Sequence, residues 1–104
     1  MLRCDVLIIG SGLAGLTSAL KLADHKKVLI VSKREILDSS SQWAQGGVAA
    51  VMSNEDSIES HMKDTEFVGG GLTDPKVANF VASHGKEAIE WLHGLQVPFS
   101  LDET

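Results

Sequence analysis

At 104 residues, with 43% hydrophobic residues and a net charge of −5, the chain has the make-up of one small globular domain. The acid excess argues against nucleic acid: lysines and arginines occur only in short pairs (Lys26-Lys27, Lys33-Arg34), with no basic stripe interleaved with aromatics. No apolar run approaches the ~18 residues needed to span a bilayer.

The first element is expected over Cys4 to Ile9, a strand-like apolar segment. Arg3 and Asp5 at its start, and the lack of a small-residue cleavage pattern, make it read as a buried strand and not a signal peptide, so a cytoplasmic location is expected. It runs directly into Gly10-Ser11-Gly12-Leu13-Ala14-Gly15, the spacing G-x-G-x-x-G. In such a turn Gly10 permits the tight backbone, Gly12 admits a pyrophosphate close to the chain, and Gly15 lets the following helix pack on the strand. That helix is expected over Leu13 to Ala23, with Leu13, Leu16, Leu20 and Ala23 on one face, and Val28 to Val31 makes a second apolar strand. A glycine turn serving only packing is the plain alternative. The order of strand, turn, helix and strand points instead to a dinucleotide whose phosphates face the helix N-terminus.

The acidic residue expected at the end of the second strand is missing, and Ser32 and Lys33 stand in its place. A hydroxyl and a cation there suit a ribose 2′-phosphate, hence NADP; equally, Lys33 and Arg34 suit a solvated basic pair. Spacing alone does not choose between them.

The next segment is Ser39-Ser40-Ser41-Gln42-Trp43-Ala44-Gln45-Gly46-Gly47-Val48-Ala49-Ala50-Val51. Its hydroxyls can donate to phosphate or ring atoms, Gly46 and Gly47 let backbone amides approach a flavin edge, and Trp43 could pack beside the ring. A serine-rich surface loop with a glycine turn is the bland reading of the same residues. The segment resembles the flavin-contacting stretch of the fumarate reductase and succinate dehydrogenase flavoprotein superfamily, most closely its L-aspartate oxidase branch, with Ala44-Gln45-Gly46-Gly47 as the signature. Asp56-Ser57-Ile58, Ser60-His61, Asp64-Thr65 and Gly69-Gly70-Gly71-Leu72 continue the resemblance in one register. Members with covalent FAD place a histidine where Ser40 stands, so non-covalent FAD is implied, and the Ser32-Lys33 ending is similar to that of the oxidase branch.

The resemblance implies a Rossmann-like βαβ start of a discontinuous FAD-binding domain with a helical extension, α/β in class and incomplete at residue 104. The substrate-capping and C-terminal helical domains would lie outside this sequence. The implied cofactor contacts are Gly10, Ser11, Gly12, Leu13, Ala14 and Gly15 at the pyrophosphate, and Lys33 near the adenosine or its phosphates. Ser40, Ser41, Gln42, Trp43, Ala44, Gln45, Gly46 and Gly47 would lie along the flavin. The implied activity is oxidation of L-aspartate to iminoaspartate, with oxygen or fumarate as acceptor and handover to quinolinate synthase for NAD synthesis. The arginines and histidines that hold and deprotonate the dicarboxylate in this superfamily are expected beyond residue 104, and Arg3 and Arg34 match none of them. Two other readings compete: a fumarate reductase or succinate dehydrogenase flavoprotein subunit, and a non-catalytic nucleotide-binding remnant, since a half-built site cannot position a substrate against a flavin.

The second half is expected to be helical. Asp56 and Glu59 suggest a capping box for a helix carrying Ile58, Met62 and Thr65 on one side, ended by Gly69-Gly70-Gly71. Asp74-Pro75 opens a second helix with Val77, Phe80, Val81 and Ala82 as its buried stripe, and a third is expected from near Lys86 to His93, capped by Gly94. Val97 and Phe99 suggest a short strand, which in a parallel sheet of two or three strands would leave apolar surface exposed. His25, His61, His84 and His93 lack metal-ligand spacing; His61 and Asp64 read as a surface pair, and His84 and His93 as residues near helix boundaries. The single Cys4 cannot form an internal disulfide and is expected to be a small core or edge residue.

Overall fold

The computed structural model describes residues 1–101, in the order β1 (Val6–Ile9), α1 (Leu13–Leu22), β2 (Val28–Val31), α2 (Ile58–Val68) and α3 (Pro75–Gly94). The chain divides into two compact units, Met1–Gly47 and a second beginning at Val48.

In the first unit β1 and β2 pair in parallel, Val6 opposite Val28 through Ile9 opposite Val31. Two short runs of Val, Ile and Leu suit a pleated sheet, and parallel neighbours require the crossover that α1 supplies. The pairing is fastened at its start, where the Asp5 carboxylate accepts the Lys27 amide at 2.8 Å, and at its end, where Gly10 N–H donates to the Val31 carbonyl at 2.8 Å. Helix α1 packs on both strands. Along β1, Val6 and Ile8 are half-buried while Leu7 and Ile9 are exposed. Exposed apolar sheet surface was the expectation for so few parallel strands, and Ile9 at 83% exposure meets it.

The apolar stripe expected on α1 needs correction. Leu13 and Leu20 are exposed, as is Ala23, and the sheltered positions are Gly15, Leu16, Thr17, Ala19 and Leu22. Close approach selects small residues here. A Cβ at Gly15 would collide with the Gly10 carbonyl and lie 3.3 Å from Ile8 Cγ2, so the helix crosses the strand closely at a glycine, with Leu16 and Leu22 half-buried and Leu13 and Leu20 outside.

In the second unit α2 packs against α3. The N-cap of α2 is Ser57, whose Oγ accepts Ser60 N–H at 3.1 Å, and not the Asp56–Glu59 box; Asp56 instead accepts Ser57 N–H at 2.7 Å, and Glu59 pairs with Lys63 at 2.9 Å. That contact holds the Glu59 carboxyl below its usual range, through the hydrogen bond first and the lysine charge second. The triple glycine ends α2 as expected, with Gly70 and Gly71 at φ +58° and +88°. Asp74 caps α3 through the amides of Lys76 and Val77, with Pro75 in the first turn, also as expected.

Four further expectations for this unit fail. The two helices expected between Asp74 and His93 are one continuous α3, so His84 is a mid-helix residue, its Nδ1 2.7 Å from the Phe80 carbonyl. Gly85 does not interrupt the helix, because a Cβ there would sit 3.3 Å from Ala50 Cβ and the glycine serves packing. The cap is not Gly94: α3 closes with Gln96 N–H on the His93 carbonyl and Val97 N–H on the Leu92 carbonyl, a Schellman pattern that puts Gln96 at φ 65°. Val97 and Phe99 form no strand; Phe99 N–H turns back onto the Val97 carbonyl. Of the expected stripe only Ala82 is buried, while Val77, Phe80 and Val81 remain exposed. No helix among the described residues is long and apolar enough to cross a membrane.

Candidate dinucleotide site

The residues expected to meet a dinucleotide all lie in the first unit. Gly10 takes φ +118°, a conformation an L side chain rarely adopts, and turns the chain from β1 towards α1. Gly12 is the N-cap of α1 and offers no capping side chain. Leu16 N–H returns to the Gly12 carbonyl at 3.0 Å, whereas the amides of Ala14 and Gly15 find no protein acceptor among the described residues. These two N–H groups at the positive end of the helix dipole suit a pyrophosphate. A Cβ on Gly12 would meet only Ser41 Oγ, at 3.5 Å, so the space beside Gly12 is open and its lack of a side chain serves something other than protein packing. Turn, open amides and cleared space together fit the diphosphate of a dinucleotide.

Ser11 plays a different part from the one its place in the motif suggests. At 5% exposure it is buried, and its hydroxyl donates to the Ile36 carbonyl at 3.0 Å while lying 3.0 Å from Ser32 Oγ. With its proton on Ile36, Ser11 accepts from Ser32. The hydroxyl is therefore a latch between the glycine turn and the segment leaving β2. Sequence reasoning missed this latch, because nothing local couples residues separated by 21 and 25 positions. Ser11→Ala should leave the Ile36 carbonyl without its partner and lower stability by about 1–3 kcal/mol, read as a fall in Tm in thermal denaturation. An unchanged Tm would remove the latch from the account.

The basic pair after β2 also separates into two roles. Arg34 is committed to Asp38, Nη1 to Oδ2 at 3.3 Å, while exposed Lys33 has no ion-pair partner among the described residues. Ser32, tied to Ser11, is not free to serve a ribose phosphate.

Ser39 to Gly47 leaves the first unit through turns, with Gln42 N–H on the Ser39 carbonyl and Ala44 N–H on the Ser41 carbonyl. Ser41 Oγ accepts Leu13 N–H at 3.2 Å, so the serine-rich segment touches the glycine turn at this point. Ser40, Gln42, Ala44 and Gln45 are exposed, Trp43 is 81% exposed, and Gly46 adopts φ +74°. The structure thus joins Gly12, Leu13 and Ser41, while the side chains of Trp43 and Lys33 make no hydrogen bond or ion pair among the described residues.

The family described as FAD binding domain matches residues 5–104. Among curated proteins, the chain is 50% identical over 98 residues to L-aspartate oxidase 1 of Ralstonia nicotianae, covering 94% of this chain and 18% of that protein. It is 50% identical over 99 residues to L-aspartate oxidase of Pseudomonas aeruginosa, covering 95% of this chain and 18% of that protein. Among solved structures, a point mutant of E. coli quinol fumarate reductase superposes with a TM-score of 0.89 at 30% identity, over 98% of this chain and 18% of its own. The chain spans less than a fifth of the length of each of these relatives.

Proposed function

Because this chain belongs to the FAD binding domain family, with FAD as its cofactor, we propose that it forms the pyrophosphate-holding and flavin-contacting start of an L-aspartate oxidase. The observation that carries the reading is the open end of α1, where the Ala14 and Gly15 amides face the space kept clear by Gly12. Identity near one half to several L-aspartate oxidases supports the choice within the family. When bound, FAD would supply the two-electron oxidation of L-aspartate to iminoaspartate, with oxygen or fumarate as the final acceptor. This chain's own residues bind and orient: the α1 amides hold the diphosphate, Lys33 neutralises charge at its adenosine side, and Ser40 to Gly47 lie along the flavin. Ser40 offers no imidazole for a covalent link, so the FAD is held non-covalently.

Turnover of L-aspartate against succinate by the purified gene product carrying these residues tests the reading. Formation of iminoaspartate from L-aspartate is expected; oxidation of succinate with no turnover of L-aspartate would transfer the chain to the fumarate reductase and succinate dehydrogenase branch. Lys33→Ala should weaken FAD by a few-fold, about the worth of one exposed charge contact, with Tm of the apoprotein unchanged. Unaltered FAD affinity would make Lys33 a solvated strand end.

A further inference from the structure

Helix α1 begins at a glycine and so has no capping oxygen of its own. The oxygen is supplied from 28 residues away, by Ser41, whose Oγ accepts the Leu13 N–H at 3.2 Å. Its main chain is engaged as well: the Ser41 carbonyl accepts Ala44 N–H at 3.3 Å, inside the stretch that carries Ala44-Gln45-Gly46-Gly47. One residue therefore holds the glycine turn with its side chain and the flavin-side turn with its backbone. A Cβ at Gly12 would lie 3.5 Å from Ser41 Oγ, an ordinary contact distance, so Ser41 sits directly beside the glycine turn.

We propose that Ser41 is a positioning residue that couples the two ends of the FAD site, fixing the Gln42–Gly47 segment against the pyrophosphate turn so that the flavin end binds a prearranged loop. The inference rests on the FAD reading above and adds a role that contact with the cofactor alone does not require. Ser41 already accepts the Leu13 amide in this structure, which lowers the cost of ordering the loop at the moment of binding. Loss of the hydroxyl releases the loop, and the penalty falls on ligands that reach it.

The test compares two ligands on the purified protein: FAD, which spans both ends, and ADP, which reaches only the diphosphate end. In Ser41→Ala, FAD affinity should fall about tenfold or more, the scale of one lost hydrogen bond and a loosened loop. ADP affinity should stay within about twofold. Ser41→Thr, which keeps a capping oxygen, should restore FAD affinity. Equal losses for both ligands would make Ser41 a helix cap or phosphate contact only, and no loss for either would make the Leu13 bond incidental; both overturn the coupling. Wild-type protein that binds ADP but not FAD would overturn the coupling and the FAD reading together, whereas FAD binding with an unchanged ratio in Ser41→Ala overturns the coupling alone. Apoprotein Tm of Ser41→Ala near that of the wild type shows that the losses are not unfolding.

Discussion

A valine at position 12 is expected to abolish FAD retention while leaving the first unit folded. Gly12 sits at φ −75° and ψ −178°, extended backbone that any residue adopts, so the substitution carries no conformational penalty. A Cβ there meets only Ser41 Oγ, at ordinary contact distance. The two further methyl groups of valine must project beside the open amides of Ala14 and Gly15, in the space a diphosphate needs. The loss in FAD affinity should be at least about 100-fold, equivalent to roughly 3 kcal/mol, measured by titration of apoprotein with FAD. Circular dichroism should be unchanged. A flavin spectrum retained through purification would mean that the diphosphate lies elsewhere.

Gly15→Ala should do the opposite, damaging the fold first. Its Cβ has no room: it would overlap the Gly10 carbonyl and press on Ile8 Cγ2 at 3.3 Å, and neither is the free end of a flexible side chain. Relief requires α1 to lift from β1 and to drag the Gly10 turn with it. The overpacking should cost about 3 kcal/mol, even though alanine is the better helix former by ~1 kcal/mol. The measurement is Tm of the apoprotein, expected to fall clearly; an increase would show that helix propensity outweighs the contact and that α1 does not ride this closely on the strand. The pair Gly12→Val and Gly15→Ala thus separates the glycine that clears space for cofactor from the glycine that seats the helix.

The first unit was largely legible in the sequence because its instructions are local. An apolar run, three glycines at fixed spacing and a second apolar run specify strand, turn, helix and strand with few alternatives, and the observed β1, α1 and β2 follow them closely. The face of α1 was not legible. Hydrophobic periodicity weighs large side chains and found Leu16, yet Gly15 and Ala19 beside it are sheltered while Leu13 and Leu20 are not. A different rule, glycine as the mark of a helix end, misplaced the close of α3, where Gln96 takes the left-handed position that Gly94 was expected to mark. The expected break before Lys86 is absent too, because Gly85 lies close to Ala50 and the helix continues through it.

Within the site, the glycine turn and the serine-rich segment could each be found from residue type and spacing. What joins them could not. The Ser11–Ser32–Ile36 latch and the Ser41–Leu13 bond link positions more than 20 residues apart through single hydroxyls, and a serine in a sequence carries no sign of which distant amide or carbonyl it will meet. The separation of Lys33 from Arg34 arises likewise from Asp38, four residues on, which takes one cation and leaves the other.

The central claim, a dinucleotide turn holding FAD without a covalent bond, is tested most directly by acid precipitation of the purified flavoprotein. The account predicts that all flavin passes into the supernatant and is identified there as FAD, with none left on the pellet. Flavin retained on the precipitated polypeptide, or a purified protein that carries and takes up no FAD, would contradict it.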